Sequence, residues 1–275
     1  MERSTITFIG GGNMARSLIG GLIADGFPAA RIRVTDPDAD KRTELTDAFA
    51  VQATADNAAA VLGADGVVLA VKPQALRQVA EELGGAIRES GAVVISIAAG
   101  VREPDLRRWL GGEIPVVRSM PNTPSLVQTG ATGLYANHLV TDEQRSLAES
   151  LLRAVGLVQW LEDESLLDVV TAVSGSGPAY FFLLMEAIED AGSRLGLPRE
   201  TARLLVLQTA LGAAKMALES DDDPQTLRRR VTSPGGTTER AVNTMEDGDL
   251  RVLVEQAVRA AAQRAGELGD ELGAQ

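Results

Sequence analysis

The stretch Thr5-Ile-Thr-Phe-Ile-Gly-Gly-Gly-Asn-Met-Ala15 decides the fold of this chain. An apolar strand pattern runs straight into the sequence G-x-G-x-x-A, and a helix pattern then continues to Ile23. In a dinucleotide-binding turn of this kind, Gly10 permits the tight turn, Gly12 lets a pyrophosphate approach the backbone, and Ala15 lets the helix pack closely on the strand. The stretch therefore predicts the opening of a nucleotide-binding sheet, with a purely structural glycine turn as the alternative.

A second strand pattern, Ile32-Arg-Val34, ends just before Asp36, where an acidic residue binds the adenosine ribose in such folds. Asp36 would accept a hydrogen bond from a free 2'-hydroxyl and repel a 2'-phosphate, which favours NADH. Nearby cations offset that repulsion: Arg33, Lys41 and Arg42. We therefore expect the cofactor to be NADPH or NADH, with both used.

Strand and helix patterns alternate over the first 160 residues and give way to helix patterns alone. Buried-strand runs occur at Gly66–Val71, Ala92–Ser96 and Pro115–Arg118, and a last strand pattern ends at Leu161. The sequence thus predicts an α/β fold, with a Rossmann-type doubly wound parallel sheet over residues 1–162 and an all-helical domain over residues 163–275.

The composition is typical of an enzyme acting on small molecules. The formal net charge of -12 argues against binding to nucleic acid or anionic membranes, which require basic surfaces. The absence of cysteine excludes disulfides, thiolate catalysis and cysteine-ligated metal, and we expect no metal site. Charged or polar residues break every hydrophobic run before about eighteen residues, so we expect no signal peptide, no membrane span and a cytoplasmic location.

Three glycine- and proline-rich loops follow predicted strands: residues 70–74, 96–100 and 120–124. Ligands of an open parallel sheet bind outside the carboxyl ends of its strands. We therefore expect all three loops to border the nicotinamide and the substrate, although each alone could be an ordinary turn.

The run Val231-Thr-Ser-Pro-Gly-Gly-Thr-Thr238 opens a predicted helix over residues 239–246. The first N–H groups of a helix have no internal partner and carry the positive end of its dipole, so they can hold a carboxylate. Gly235 and Gly236 would allow a close approach to the backbone. The alternative is an ordinary helix start with a flexible lead-in.

The last predicted helix carries an apolar face that suggests a partner subunit, with packing inside one chain as the alternative. The face comprises Leu250, Leu253, Val254, Ala257, Val258 and Ala261.

Taken together, these motifs resemble those of the pyrroline-5-carboxylate reductase family from the first strand to the final helices. The motifs are the glycine turn through Ala15, Ala70-Val-Lys-Pro73, Met120-Pro-Asn-Thr-Pro124, Ser174-Gly-Ser-Gly-Pro-Ala-Tyr180 and Thr232-Ser-Pro-Gly-Gly-Thr-Thr238. The resemblance implies NAD(P)H-dependent reduction of 1-pyrroline-5-carboxylate to L-proline, the final step of proline biosynthesis. It also implies a helical dimerisation domain and a homodimer, often assembled further into a decamer of five dimers.

The resemblance further implies roles for individual residues. Thr238 would be the catalytic residue and hydrogen-bond the ring nitrogen of the substrate, while the backbone near Gly236 and Thr237 holds the substrate carboxylate. The substrate-binding set is Glu164, Ser233, Gly236, Thr237 and Thr238. The cofactor-binding set is Gly10, Gly12, Asn13, Met14, Asp36, Asn57, Ala70, Val71, Lys72, Pro73, Ala98 and Ala99.

Two other functions fit parts of the sequence. A 3-hydroxyacid dehydrogenase would place a catalytic lysine on a helix of the second domain, and Lys215 is the only lysine after Lys72. A redox-sensing binding module would bind the dinucleotide without turnover and would not require an anion-binding loop. His138, the single histidine, is expected to be a surface residue.

Overall fold

The computed structural model describes residues 4–274. Its centre is an eight-stranded sheet with the strand order β3-β2-β1-β4-β5-β6-β7-β8. The strands are β1 (Ile6–Ile9), β2 (Ile32–Thr35), β3 (Gln52–Thr54), β4 (Gly66–Leu69), β5 (Val93–Ser96), β6 (Val116–Met120), β7 (Gly130–Ala136) and β8 (Gly156–Trp160). All neighbours are parallel except β6 and β7, which pair antiparallel. The predicted doubly wound α/β sheet is confirmed.

Twelve α-helices surround or follow the sheet in the described part of the chain. They are α1 (Asn13–Ala24), α2 (Ala39–Phe49), α3 (Asn57–Val61), α4 (Pro73–Ser90), α5 (Glu103–Trp109), α6 (Asp142–Arg153), α7 (Leu166–Val170), α8 (Gly177–Arg194), α9 (Arg199–Glu219), α10 (Pro224–Arg230), α11 (Thr237–Asp247) and α12 (Leu250–Gly273). Short 3-10 turns cover residues 29–31 and 123–127, and a π-helical turn, Thr171–Gly175, joins α7 to α8.

Local sequence signals set several of these helix ends. Thr141 and Gln144 form a reciprocal capping box at the start of α6. The carboxylate of Asp223 caps α10 by accepting from the N–H of Thr226 at 2.7 Å, and Pro224 follows as the first helical residue. Gly91 ends α4 with a φ of 68°, a left-handed conformation that favours glycine. These signals are readable from sequence because each acts within four residues.

The two faces of the sheet carry separate apolar cores. One contains Phe8 and Leu22 and packs β1 against α1 and α6, and the other contains Leu69 and Leu76 and packs β4 against α4 and α5. β1, β4 and β5 are buried along their whole length. Central parallel strands covered on both faces read as continuous apolar runs, which is why they were predictable.

Contacts within the chain divide it into two compact units. The first comprises Met1–Ser176 with Ala260–Gln275, and the second comprises Gly177–Arg259. The split falls at Ser176 because α7 packs on β6 and β7, so the residues just after 162 belong with the sheet by their contacts. The boundary between residues 162 and 163 stays a prediction about the functional domains.

The helical run Leu166–Arg194 is long and apolar enough, by length and composition alone, to cross a membrane. Its mean hydropathy is 1.3, and 17% of that window is buried. Asp168, Thr171 and Ser174 interrupt this run, so the expectation that the chain has no membrane span stays a prediction. Core helices of proteins outside membranes pass the same test.

Candidate active site

Gly10 forms the tight turn that follows β1. Its φ is 100°, a conformation that side chains disfavour. A Cβ at this position would lie 2.7 Å from the carbonyl oxygen of Ala70, and its N–H donates to the carbonyl of Thr35 at 2.8 Å. Gly10 therefore sits where β1, β2 and β4 end together, and any side chain there would push the strands apart.

Gly12 differs from Gly10 because the space around it is open. A Cβ at Gly12 would meet no heavy atom of residues 4–274 within 4 Å, although its φ of -71° would accept one. Gly12 is also the N-cap of α1, and its position supplies no side-chain cap. The start of α1 thus combines accessible space with the N–H groups that bind anions. This arrangement fits the pyrophosphate of a dinucleotide.

Asp36, at the end of β2, is 6% exposed and is bound to the glycine turn. Its Oδ2 accepts from the N–H of Gly11 at 3.0 Å, and its Oδ1 accepts from the N–H of Asp38 at 3.0 Å. Beside it, the buried hydroxyl of Thr35 has no hydrogen-bond partner within the described residues. The carboxylate therefore shapes the turn, in addition to the role at the ribose that the sequence predicts for it.

The three cations expected to offset Asp36 are placed differently. Lys41 Nζ lies 3.9 Å from Asp36 Oδ2. Arg42 donates through Nη1 to the carbonyl oxygens of Asp36 and Pro37 at 2.7 and 3.0 Å. Arg33 donates to the carbonyls of residues 60 and 62 at 3.0 and 2.7 Å. Lys41 is the cation best placed to face a 2'-phosphate, since it contacts the carboxylate itself and its side chain is half exposed.

The remaining cofactor candidates lie at the carboxyl edge of the parallel strands. Residues 70–73 carry the chain from β4 into α4, residues 98 and 99 follow β5, and Asn57 begins α3 after β3. Asn13 and Met14 begin α1. The parallel register of β1, β2, β4 and β5 brings these segments to one edge of the sheet, which is where ligands of this fold bind.

The loop after β6 is anchored by Asn122, which is 8% exposed. Its Nδ2 donates to the carbonyl of Ser174 in the π-helical turn at 3.0 Å, and its Oδ1 accepts from the N–H of Ala131 at 2.9 Å. A Cβ on Gly175 would lie 2.7 Å from Cε of Met120. π-helical turns often occur at functional sites. Here the turn presents a carbonyl that fixes the loop.

Glu164, one of the predicted substrate ligands, is held by two donors. Its Oε1 accepts from Nη1 of Arg118 at 2.5 Å and from the N–H of Glu103 at 2.6 Å. The Glu103 carboxylate accepts in turn from Asn137 Nδ2 at 2.8 Å. Burial raises the pKa of nearby Tyr135, and the charges of Glu164, Glu103 and Asp163 raise it further. This region therefore carries a negative local field.

The predicted substrate loop precedes α11 in the second unit. Gly235 has a φ of 70°, and Gly236 is the N-cap of α11, again without a side-chain cap. Thr237 and Thr238 are exposed in the first turn. The N–H of Gly235 donates to Oε2 of Glu239 at 2.7 Å, so this loop already holds one carboxylate of its own chain. Ser233 contributes its carbonyl, which accepts from the N–H of Gly236 at 3.0 Å.

Sequence reasoning missed Arg118 and Glu103 as parts of this region, and it placed Asn122 within the loop at residues 120–124 without its partners. Arg118 was read only as the end of a strand, although a charged residue in a buried apolar run is itself a signal. Lys215 is exposed and lies 3.7 Å from Glu219. His138 is exposed beside Glu113, as expected of a surface residue.

The glycine turn, the strand order and the open start of α1 define a dinucleotide-dependent oxidoreductase of the Rossmann type. Residues 5–100 match a family described as NADP oxidoreductase, coenzyme F420-dependent. Residues 164–268 match the family described as pyrroline-5-carboxylate reductase dimerisation.

Relatives and solved structures specify the family. The chain is 55% identical to pyrroline-5-carboxylate reductase of Pseudomonas aeruginosa over 99% of this chain and all of that protein. A pyrroline-5-carboxylate reductase structure from Coxiella burnetii is 52% identical, with a TM-score of 0.94 and coverage of 96% of this chain and 98% of that one. The Plasmodium falciparum pyrroline carboxylate reductase with NADP bound is 29% identical, with a TM-score of 0.85 and coverage of 98% and 99%. The chain belongs to the pyrroline-5-carboxylate reductase family and is an oxidoreductase.

Proposed function

We propose that this chain reduces 1-pyrroline-5-carboxylate to L-proline with NADPH or NADH, as the final step of proline biosynthesis. The observation that carries the proposal is the 55% identity to a pyrroline-5-carboxylate reductase over essentially the whole chain. The open turn at Gly12 supports it independently, because a pyrophosphate would fill space that the chain leaves free.

The dinucleotide is held in this proposal by the carboxyl edge of the sheet. The N–H groups at the start of α1 bind the pyrophosphate, and Asp36 and Asn57 lie toward the adenosine ribose. The segments at residues 70–73 and 98–99 border the nicotinamide. When bound, the reduced nicotinamide supplies the hydride that the imine carbon accepts.

The substrate is held by the loop before α11 and by Glu164. Backbone N–H groups near Gly236 and Thr237 bind its carboxylate, with Ser233 shaping the loop, and the hydroxyl of Thr238 hydrogen-bonds the ring nitrogen. A cyclic imine is electrophilic once its nitrogen is protonated, so the chain need not supply a strong acid or base. Its contribution is to orient the ring and to stabilise charge at the nitrogen.

Assembly into a homodimer, and further into five dimers, is part of the proposal. Consecutive large side chains of α8 are exposed in the single chain, with Phe181, Phe182 and Leu183 exposed by 64%, 63% and 66%. Apolar surface of this extent is typical of an interface. The match of residues 164–268 to the dimerisation family supports a second copy of this chain as the partner. We propose a cytoplasmic location for the assembly.

The test is a titration of racemic 1-pyrroline-5-carboxylate into the pure protein with NADH and then NADPH, following the absorbance of the reduced nicotinamide. We expect rapid oxidation with stoichiometric formation of proline. Oxidation with neither cofactor, in protein that binds the dinucleotide by fluorescence titration, would refute the reductase assignment and leave the binding-module function.

A further inference from the structure

Glu164 is held at one carboxylate oxygen by a buried arginine, and this arrangement assigns a role to that arginine. We infer that Arg118 is a positioning residue of the reductase, which orients Glu164 so that its second oxygen faces the cationic ring nitrogen of the substrate. The inference rests on the proposed function, in which Glu164 contacts the substrate.

The first observation is the geometry of the pair. Arg118 Nη1 lies 2.5 Å from Glu164 Oε1, and the two side chains are only 8% and 19% exposed. The N–H of Glu103 donates to the same oxygen at 2.6 Å. Every hydrogen bond recorded for this carboxylate within residues 4–274 thus goes to Oε1. Oε2 stays available for a further donor.

The second observation is the rigidity of the support. Arg118 lies within the sheet on β6, opposite Tyr135 of β7 and next to Ser96 of β5. Glu103 is fixed from the other side, since its carboxylate accepts from Asn137 and lies 3.1 Å from Nε of Arg107. A ligand supported by a buried second layer of hydrogen bonds is held more precisely than one on a free side chain.

A contribution to stability alone does not explain the buried ion pair of Arg118 and Glu164. A buried ion pair is often no more stabilising than apolar residues of similar volume, because both charges lose their hydration. An arginine next to Val116 and Val117 in a buried strand therefore requires another reason. Holding a carboxylate in one orientation supplies that reason, since the guanidinium fixes one of its two oxygens.

The chemistry of the substrate matches the site. The protonated imine is a cation, and a carboxylate placed beside the ring stabilises it by charge attraction, while Thr238 takes the single N–H bond. Burial raises the pKa of Tyr135 most, and the neighbouring carboxylates of Glu164, Glu103 and Asp163 raise it further, so negative charge lies close by. A Glu164 side chain free to rotate would contact the ring nitrogen in only a fraction of molecules.

The experiment compares Arg118→Met, Arg118→Lys and Glu164→Gln in the full-length protein, with Arg108→Gln as the matched control. Arg108 pairs with Asp105 at 2.8 Å and donates to the carbonyl of Gly273 at 3.0 Å, so its loss leaves the bonds of Glu103 and Glu164 in place. We expect Arg118→Met to raise the KM for 1-pyrroline-5-carboxylate about tenfold or more, with Arg118→Lys intermediate and Arg108→Gln within about twofold of the parent. The Kd for NADPH, measured by fluorescence, should change by less than about twofold in all four variants.

The outcomes separate the inference from the proposed function. If Glu164→Gln leaves the KM for the substrate unchanged, the placement of Glu164 at the substrate is wrong. If Glu164→Gln raises that KM but Arg118→Met does not, the positioning role of Arg118 is wrong and the proposed function stands. If the effects of Arg118→Met and Glu164→Gln on the substrate KM, expressed as free energies, do not add in the double variant, the inference is supported. Should Arg118→Met fail to fold, Arg118→Lys decides, because an unchanged substrate KM there overturns the positioning role.

Discussion

The N–H of Gly11 donates to Oδ2 of Asp36 at 3.0 Å, joining the middle of the glycine turn to the end of β2. The carboxylate expected to bind the ribose therefore also fixes the turn proposed to bind the pyrophosphate. In this proposal cofactor affinity and cofactor preference both depend on one side chain, so a substitution at Asp36 should change both.

Asp36→Ser should raise the preference for NADPH over NADH. Removal of the negative charge relieves repulsion of a 2'-phosphate, and we expect the ratio of kcat/KM values for NADPH and NADH to rise about tenfold. Loss of the acceptor for Gly11 should raise the KM for both cofactors, which the ratio cancels. Lys41→Ala, which removes the cation 3.9 Å from the carboxylate, should lower the same ratio. An unchanged ratio in both variants would contradict the assignment of this turn.

Gly12→Ala should weaken cofactor binding without loss of stability, whereas Gly10→Ala should lower the stability of the fold. A methyl group at Gly12 meets no atom of the described residues within 4 Å, so we expect an unchanged thermal midpoint. The Kd for NADPH should weaken about tenfold or more, because the methyl would occupy the space proposed for the pyrophosphate. At Gly10 a Cβ would lie 2.7 Å from the Ala70 carbonyl at a φ of 100°, so this variant should lose about 1–3 kcal/mol of unfolding free energy.

Calorimetry and fluorescence titration of the two variants measure these quantities side by side. If Gly12→Ala bound NADPH as tightly as the parent protein, the pyrophosphate could not lie against that residue. A Gly10→Ala variant as stable as the parent would show that the turn relaxes more easily than its contacts suggest.

The sequence predicted the parts of the fold that depend on neighbouring residues. The glycine turn, the buried runs of β4 and β5 and the capping box of α6 each carry their signal within a few positions. β7 carries none, because Gly130 and Gly133 interrupt its pattern. Gly133 is needed there since a Cβ would lie 2.9 Å from Val170, a contact that no local pattern reveals.

The contacts that the sequence did not predict in the candidate site join residues distant in sequence. Arg118 meets Glu164 across 46 positions, and Asn122 meets Ser174 across 52. The family resemblance predicted Glu164 as a substrate ligand, but it did not identify Arg118 as the residue that holds its carboxylate. Such pairings follow from the order of the strands rather than from the pattern along any one strand.

Thr238→Ala should lower turnover while leaving cofactor binding intact. The hydroxyl lies in the first turn of α11, outside the unit that carries the glycine turn, so its loss should affect the substrate alone. We expect kcat/KM for 1-pyrroline-5-carboxylate to fall about tenfold to a hundredfold and the Kd for NADPH to change less than about twofold. Thr244→Ala is the control, because its hydroxyl on the same helix is already bonded to the Arg240 carbonyl. An equal loss in cofactor affinity would count against a role confined to the substrate.

Phe181→Glu should convert the assembly into monomers. Phe181 is 64% exposed on an apolar stretch of α8, so a carboxylate there costs little in the single chain but would be buried without a partner in a dimer. We expect the dimer Kd to weaken about a hundredfold or more, with an unchanged far-ultraviolet circular dichroism spectrum. Leu62→Glu is the control, because it places the same charge on an exposed apolar residue of the first unit and should leave the mass of the assembly unchanged. Light scattering after size-exclusion chromatography measures the mass of each assembly directly. If Phe181→Glu kept the parent mass, α8 would lie outside the interface, and recruitment of the parent protein to lipid vesicles would then identify a membrane as what covers this helix.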